Sequence, residues 1–466
     1  MTSVVESKQN TRCGLFYPNL DKKNPLFPTK AMMALLLPVV LEQLLNSFMG
    51  MADTMMVSNV GSEAISAVSL VDSINNLVAQ VFAAMATGAS IICSQYIGAK
   101  LPKDANKAAR QVVLTVLTIS LSLMVIGLVG RRFLLSVIFG KIEEEVMAGA
   151  LVYFLVSVLS YPFLALFNAA AAFFRAGGNS KFPMKISIIG NVINVVGNAI
   201  LIFGFHQGVL GAALSTLLSR AFCAICLLAH LRLDRQPIVV NHYLAIRPDF
   251  PLIARILAIG VPAGIENGMF QFGKLAIQST VSEMGTAAIA AQAMANILEM
   301  VNGVFGIGVG IGLMTMVGQA LGAGRREEAS YYIVKCTLIG QIGITLSCIM
   351  VQLLVRPVML LAGMEPESAT LCLEMVTAIN LFKPFLWAWS FIPSYGLRAA
   401  GDVRFSMMIS TMTMWGIRVF MCISLVRMFG LGPIAVWYAM FMDWGVRSII
   451  FFFRFRSGRW LKSNVI

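Results

Sequence analysis

The sequence predicts an all-α polytopic membrane protein with 12 transmembrane helices, six in each of two duplicated halves. Hydrophobic residues make up 58% of the 466 positions and charged residues 12%, with a mean hydropathy of +0.81. A typical soluble protein carries ~25% charged residues. With only half that share, this chain could not cover a water-exposed surface. The apolar residues also fall into long runs, and the second half of the chain repeats the pattern of the first.

The duplication is clearest over residues 38–105, which align without a gap with residues 262–329 at an offset of 224 positions. Apolar composition alone would align alanines or isoleucines. It would not readily align Pro38 with Pro262, Glu42 with Glu266, Gly61 with Gly285, Gln95 with Gln319 and Gly98 with Gly322. Duplicated halves are common in secondary transporters, where the substrate site lies between the repeats.

Twelve apolar runs are long enough to cross the hydrocarbon core as helices, which takes roughly 20 residues. The predicted spans are 31–57, 64–97, 108–128, 148–174, 183–203 and 209–231, then 252–280, 287–321, 332–355, 370–397, 405–428 and 434–455. The predicted organisation is a polar tail (1–30), an N-lobe (31–231), a linker (232–251), a C-lobe (252–455) and a second tail (456–466). We expect a loop at residues 129–147, between spans 3 and 4.

The distribution of basic residues predicts the orientation. In the tails, in the loops and at the ends of the spans, 25 lysines and arginines lie on the side of the termini and five on the opposite side. The positive-inside rule therefore predicts a multi-pass protein of the cytoplasmic (plasma) membrane with both termini cytoplasmic. This bias also accounts for most of the net charge of +13 without a nucleic-acid partner. Six spans return the chain to its starting side, so the two repeats are parallel.

Several other classes of function find no support in the sequence. The eight cysteines are scattered, and the isolated pair Cys223 and Cys226 lies within a predicted span, which favours helix packing over a metal or redox site. Residues 1–30 lack the apolar core of a signal peptide. No catalytic triad, nucleotide-binding motif or metal-ligand cluster occurs. We therefore expect no enzyme activity and no cofactor.

Polar side chains within the spans are the candidate binding residues, since a charge at a helix centre costs roughly 2.5–3.5 kcal/mol on insertion scales. In span 1, Glu42, Asn46 and Asp53 share one face, because their spacings of 4, 7 and 11 suit 3.6 residues per turn. Such a stripe faces a cavity or another helix rather than lipid. Hydrogen bonding between helices is the alternative and stays open, most of all for Asn46.

Several stretches resemble the multidrug and toxic compound extrusion (MATE) family. Met51-Ala-Asp-Thr-Met-Met-Val-Ser-Asn-Val-Gly61 is similar to the family's first-helix signature. The start of span 2, Gly61-Ser-Glu-Ala-Ile-Ser-Ala-Val, continues the likeness. Further resemblance lies in Gln95-Tyr-Ile-Gly-Ala-Lys, in Gln319-Ala-Leu-Gly-Ala-Gly, and in the paired segments Phe174–Met184 and Leu397–Phe405.

The resemblance covers roughly residues 30–455, in both halves. It implies two six-helix bundles around a central cavity that opens alternately to each side. It also implies export of small organic cations or drugs, driven by inward flow of H⁺ or Na⁺. We expect the protein to act in the lipid bilayer as a monomer.

Asp53 is the residue expected to couple the two flows. Burial favours the protonated form of a carboxyl group, whereas a nearby cation favours the ionised form. A proton and a substrate cation would therefore compete for Asp53. Asn194 and Asn198 in span 5 could hydrogen-bond Asp53 or coordinate Na⁺, with helix packing as the alternative. One branch of the family has an aspartate at the position of Asn198, so its coupling chemistry does not transfer directly.

In the second half, Glu266 is the repeat partner of Glu42, and Glu299 aligns with Asn75. Together with Asp72 in span 2, these acids are expected to line the cleft, although packing or loop-facing roles stay open. Another branch of the family has one acid further along span 7 and another in span 10. Span 10 has no acid between Lys383 and Arg398 here, so Glu266 is the candidate substitute.

The charges within the spans predict the sign of the substrate. Five acids lie within the spans: Glu42, Asp53, Asp72, Glu266 and Glu299. Five bases also lie there: Arg220, Lys274, Lys383, Arg418 and Arg447. We expect Arg220 and Arg447 to extend their charges to the cytoplasmic surface, and Lys274 to neutralise Glu266. The remaining balance is modestly acidic, which favours cationic substrates.

Two alternatives to the antiporter remain. A lipid-linked saccharide flippase of the same broad superfamily would need a cationic cavity for its pyrophosphate headgroup. In a non-transporting membrane scaffold, the polar stripes would be structural and no substrate would be moved.

Overall fold

The computed structural model describes residues 25–140, 143–233, 236–241 and 247–462, and every regular element within these ranges is helical. Most of the predicted N-terminal tail, the last residues of the C-terminal tail and part of the predicted linker lie outside the described residues. The helices are α1 (Thr29–Ser58), α2 (Ser62–Gly98), α3 (Pro102–Phe139), α4 (Glu144–Leu159), α5 (Tyr161–Ala176), α6 (Lys181–Asn198), α7 (Gly208–His230), α8 (Phe250–Ser282), α9 (Thr286–Gly322), α10 (Arg326–Leu361), α11 (Pro366–Ala399), α12 (Val403–Thr413), α13 (Phe420–Phe429) and α14 (Ile434–Arg456). Single π-helical segments follow α6 (Ala199–Gly204) and join α12 to α13 (Met414–Val419), and Arg459–Lys462 form a 3₁₀ turn.

The predicted 12 crossings are confirmed. Within the described ranges, 11 helical segments are long and apolar enough to cross a membrane, and the bent pair α4 and α5 supplies the twelfth. This pair bends by 42° at Ser160. Pro162 explains the bend, because proline has no amide hydrogen to bond across the break and its ring crowds the preceding turn.

The loop predicted at residues 129–147 is wrong for most of its length. Helix α3 continues to Phe139, and α4 begins at Glu144. The run Phe133–Phe139 is apolar apart from Ser136, so it extends the span beyond the arginine pair. Gly140 then ends the helix with a positive φ of 67°, a conformation that glycine adopts without steric cost.

The packing forms two lobes that exchange the first part of their first helices. In the C-lobe core, Met32, Leu35 and Leu36 of α1 are buried among residues of α9–α14. In the N-lobe core, Ile256 and Ile259 of α8 are buried among residues of α2–α7. The exchange follows from the duplication, because equivalent halves bury equivalent faces. It ties the lobes together through α1 against α9 and α8 against α2.

The lobes meet most closely where α2 crosses α9. The crossing lies at the end of the bundle that carries the turns 99–101, 177–180, 323–325 and 400–402, here called the joined end. Gly98 lies against the backbone of Gln319, and Gly322 lies against the backbone of Gln95, so a Cβ at either glycine would clash. Residues 88–95 and 312–318 are buried on every side, as expected for helices between two lobes.

Two reciprocal hydrogen bonds close this end. Gln95 Nε2 donates to the Ala399 carbonyl at 2.8 Å, and Gln319 Nε2 donates to the Ala176 carbonyl at 2.7 Å. Each bond runs from the centre of one lobe to the paired Arg-Ala segment of the other.

Away from the joined end, the same helices are buried on one side only. The first half of α2 and of α9 alternates between buried and exposed positions. The facing parts of α1 and α8 expose Phe48 and Phe272, which are related by the repeat and are 50% and 52% accessible. Within the described ranges, α1 packs on α9 and α6, and α8 packs on α2 and α12, whereas α1 and α8 are not a packed pair. We infer that the lobes diverge into a cleft at the opposite end, here called the open end.

Candidate ion and substrate sites

The N-lobe brings three predicted residues together. Asn198 Nδ2 donates to the Asp53 carboxylate at 2.7 Å and contacts Asn194 Oδ1 at 3.5 Å. Asn194 Nδ2 in turn donates to Thr216 Oγ1 at 3.1 Å. Asn194 and Asn198 are 4% and 1% accessible. The side-chain oxygen of Asn198 is buried and accepts no hydrogen bond within the described structure. The cluster thus presents a spare acceptor beside a carboxylate.

Asn198 lies at a change of helical geometry. Helix α6 ends at Asn198 and continues as the π-helical segment Ala199–Gly204. Single π-turns occur frequently at functional sites, because the wider turn displaces side chains from regular helical register.

Asp72 lies at the centre of a second N-lobe network. It accepts from Asn75 Nδ2 at 3.1 Å and from Tyr153 Oη at 3.2 Å. Tyr161 Oη donates to Asn75 Oδ1 at 3.0 Å. Arg220 lies in the same lobe, where its guanidinium donates to Ser160 Oγ. The N-lobe interior therefore holds two carboxylates and one guanidinium.

Arg220 corrects one expectation. Its guanidinium donates to Ser160 Oγ at 2.7 Å, inside the lobe, rather than extending to the membrane surface. The broken helix at Ser160 supplies the acceptor. The spacing of four between Thr216 and Arg220 places both on one face of α7, a signal that the sequence contained and that would have found Thr216. Tyr153 had no comparable signal, since tyrosine is common near membrane interfaces.

Asn46 and Glu42 lie apart from Asp53 on α1. Asn46 Oδ1 accepts from Ser187 Oγ at 3.1 Å and from Asn191 Nδ2 at 3.4 Å, which ties α1 to α6. Glu42 is about 16 Å along the helix from Asp53, at 1.5 Å per residue. The three polar residues of α1 therefore share one face of the helix, as predicted, but each bonds to different partners.

Glu42 and Glu266 form the same ion pair in each lobe. Arg175 Nη2 lies 2.9 Å from Glu42 Oε1, and Arg398 Nη2 lies 2.5 Å from Glu266 Oε1. The arginines come from the paired Arg-Ala segments at the joined end. Lys274 does not neutralise Glu266, as the sequence had suggested, because Arg398 already does.

The C-lobe interior contains a charged cluster around Glu299. Lys383 Nζ lies 2.5 Å from Glu299 Oε1 and donates to the Glu299 carbonyl at 2.8 Å. Lys383 is 0% accessible and Glu299 24%. Lys274 and Arg418 both lie over the Phe270 ring, with Lys274 Nζ at 5.1 Å and Arg418 Cζ at 5.4 Å from its centroid.

A second buried pair lies behind this cluster. Arg447 Nη2 contacts both carboxylate oxygens of Asp443, at 3.0 and 3.2 Å, and donates to Thr413 Oγ1 at 3.1 Å. The side chains of Arg447 and Asp443 are 2% and 0% accessible. Arg447 therefore does not extend to the surface, and Asp443 is an intramembrane acid that the sequence count had overlooked.

The acidic balance predicted for the spans as a whole is wrong, and the C-lobe is the cause. Glu266 is neutralised by Arg398, which the sequence had placed in a loop. Two carboxylates, on Glu299 and Asp443, then face four cations, on Lys274, Lys383, Arg418 and Arg447. The N-lobe interior keeps its acidic excess. The two lobes thus differ in the sign of their interior charge.

Comparison with known proteins supports the fold and the family. A family model, MatE, matches residues 38–200 and again residues 262–423. The uncharacterized transporter YisQ of Bacillus subtilis strain 168 is 25% identical over 460 residues, 95% of this chain and 97% of that protein. The probable multidrug resistance protein NorM of Thermotoga maritima is 26% identical over 459 residues, 98% of each chain.

A solved structure described as the outward-facing conformation of a multidrug resistance MATE family transporter has the same fold. It is 20% identical, with a TM-score of 0.86, and the match covers 92% of this chain and 95% of that one. The family model covers more than half of the chain and falls on the two halves that the repeat had predicted. The protein is a membrane transporter rather than an enzyme, and it belongs to the multidrug and toxic compound extrusion family.

Proposed function

We propose that the protein is an antiporter that exports organic cations or drugs by alternating access, with H⁺ or Na⁺ as the coupling ion. The observation that carries this proposal is the spare acceptor beside Asp53. Asn198 Oδ1 is buried without a donor, and a buried polar atom without a partner is costly. A Na⁺ ion, or a proton shared with the carboxyl group, would satisfy it.

The residues around Asp53 account for the coupling. Closing the cleft at the open end would take Asp53 further from water, and an uncompensated buried carboxylate is strongly disfavoured. A bound cation removes that cost, so the lobes can close only when Asp53 carries H⁺, Na⁺ or a cationic substrate. Because the carriers compete for one carboxylate, release of one on each side is linked to uptake of another.

The orientation follows from the basic residues. The joined end lies on the side with 25 lysines and arginines in tails, loops and span ends, against five on the other side, and the positive-inside rule makes that side cytoplasmic. Both termini are then cytoplasmic and the cleft opens outward. The solved structure of similar fold is likewise described as outward-facing. One chain contains both lobes and the cleft, so a monomer in the plasma membrane is sufficient for transport.

The name of the NorM relative supports drugs as substrates, and the acidic N-lobe supports a cationic group on them. The flippase stays as a second candidate, because the C-lobe carries the positive charge that a pyrophosphate headgroup requires. The pair Asp53 and Asp72 opposes it, since a polyanion would be repelled there.

Flux into vesicles tests the proposed function. Purified protein in liposomes would be given a pH gradient alone and then a Na⁺ gradient alone, with a fluorescent organic cation as substrate. We expect flux under one gradient, and loss of that flux in Asp53→Asn. Asp104→Asn, at an exposed position in the first turn of α3, is the matched control and should transport normally. Flux in folded Asp53→Asn equal to wild type would refute the coupling role.

A further inference from the structure

Contacts related by the repeat carry different charges in the two lobes. Tyr161 in the N-lobe hydrogen-bonds Asn75 at 3.0 Å. The equivalent positions in the C-lobe, at offsets of 222 and 224, are Lys383 and Glu299, which form the 2.5 Å ion pair. A neutral hydrogen bond has thus been replaced by an ion pair at the same place in the fold.

At a second pair of equivalent contacts, the C-lobe has a positive charge where the N-lobe has none, and no negative charge accompanies it in the contact. Asn194 donates to Thr216 in the N-lobe at 3.1 Å. The residues 224 positions later are Arg418 and Met440, and Arg418 Nη2 contacts the Met440 sulfur. A thioether is a weak acceptor, so the guanidinium has exchanged a good neutral partner for a poor one. Lys274, in addition, stands at the position of Gly50.

Two of the four cations in the C-lobe cluster have no carboxylate partner within it. Glu299 is bonded to Lys383, and Asp443 is bonded to Arg447. Among the residues that the structure describes, Lys274 and Arg418 form no ion pair. Arg418 is 6% accessible, and its Nε is buried without an acceptor. A buried guanidinium without a carboxylate is costly in the absence of a ligand.

The two unpaired cations share one apolar platform. Both lie over Phe270, and like charges so placed repel each other. An anion bound beside this ring, within reach of both cations, would relieve the repulsion and accept their free donors. Lys274 is exposed and Glu299 is partly exposed, whereas Arg418 and Lys383 are buried behind them. The site is therefore accessible from the Lys274 side.

We propose that the C-lobe cluster at Lys274, Arg418 and Phe270 binds a carboxylate or phosphate group of the transported substrate. This inference rests on the proposed transport function and narrows its substrate class to organic compounds that bear such a group on an apolar body. A cationic group on the same molecule fits the acidic N-lobe, so zwitterionic amphiphiles match both lobes.

Binding of two matched dyes tests this site. Rhodamine B carries a free carboxylate and a delocalised cation, and its ethyl ester has the same cation without the carboxylate. Fluorescence anisotropy would be measured on purified protein without any ion gradient. We expect wild type to prefer the free acid by about tenfold, the size of one charge-assisted hydrogen bond. The preference should disappear in Lys274→Gln and persist in Lys274→Arg.

Two variants make the test independent of folding defects. Lys335→Gln removes a lysine that bonds Thr29 at the joined end, and it should keep the preference for the free acid. Lys274→Glu, confirmed as folded by size exclusion, should reverse the preference toward the ester. Equal affinities in wild type, binding of neither dye, or an unchanged preference in Lys274→Gln would overturn the proposal.

The substrate class and the transport function can fail separately. Binding of a polyprenyl pyrophosphate together with rejection of rhodamine B would overturn the small-substrate assignment in favour of a lipid-linked one. Absence of gradient-driven flux, with the dye preference intact, would instead refute the antiporter and leave the anion site standing.

Discussion

The two lobes have the same framework and opposite interior charge. Each lobe has a glutamate on its first helix paired with an arginine from an Arg-Ala segment. Each also has a central glutamine that bonds the other lobe. Inside, the N-lobe holds Asp53 and Asp72, while their repeat counterparts are Ile277 and Asn296. Duplication has therefore preserved the residues that join the lobes and changed those that face the cleft.

This difference indicates a division of roles. The joining contacts must fit the same reciprocal geometry in both lobes, so neither half can change alone. The residues that face the cleft meet ligands rather than each other, so each lobe can acquire its own charge. Our proposals assign the coupling cation to the N-lobe and an anionic group of the substrate to the C-lobe.

The largest effect on stability is expected at the buried C-lobe ion pair. Glu299→Gln leaves Lys383 without its carboxylate, and breaking one partner of a buried pair costs about 3–5 kcal/mol. The N-lobe counterpart Asn75→Ala removes no charge of its own: it removes the hydrogen bonds to Tyr161 and Ser157 and the one donated to the Asp72 carboxylate, at about 1–3 kcal/mol. Thermal unfolding in detergent should show a much lower midpoint for Glu299→Gln.

A rescue variant sharpens this comparison. Glu299→Asn combined with Lys383→Tyr installs the N-lobe pair in the C-lobe and should recover most of the lost stability. Equal destabilisation by Glu299→Gln and Asn75→Ala would show that the lobes do not differ at this contact.

A smaller and symmetric effect is expected at the joined end. Gln95→Ala and Gln319→Ala each remove one reciprocal hydrogen bond, at about 1 kcal/mol. Both should favour opening toward the joined end, and by similar amounts. A single cysteine introduced at Ser94, buried beside Gly318, would report this opening through its rate of alkylation in a cysteine-free background. A large difference between the two variants would contradict the equivalence of the lobes in the framework.

The sequence predicted the fold well. Hydropathy can be read from each residue alone, and the repeat from residues at a fixed offset, so neither requires knowledge of contacts in space. The family resemblance also led to the hypothesis that Asn194 and Asn198 hydrogen-bond Asp53; Asn198 makes that bond, and Asn194 bonds Asn198 and Thr216 instead. The sequence failed where the answer depended on which partners meet in space. Arg398, predicted to lie in a loop, is in the last turn of α11, and only the fold brings that turn within reach of Glu266 on α8.

The sign of the C-lobe charge was missed for a different reason, since the charges were counted over all spans together and Arg447 was expected to reach the surface. Counted by lobe, Glu266 and Glu299 already stand against Lys274, Lys383 and Arg418. Only the shared Phe270 ring needed the three-dimensional structure. Offsets of 222 and 224 did hold the relevant information, because they align Lys383 with Tyr161 and Arg418 with Asn194.

The division of roles is tested most directly by measuring coupling and substrate recognition in the same two variants. Asp53→Asn and Lys274→Gln would each be assayed for dye binding without a gradient and for gradient-driven flux of the rhodamine ethyl ester. Asp53→Asn should keep its preference for the free acid and lose flux, whereas Lys274→Gln should keep flux of the ester and lose the preference. Two results would contradict the assignment of ion and anion to separate lobes. One is that both variants lose both flux and the preference for the free acid. The other is that Asp53→Asn loses the preference while Lys274→Gln loses flux.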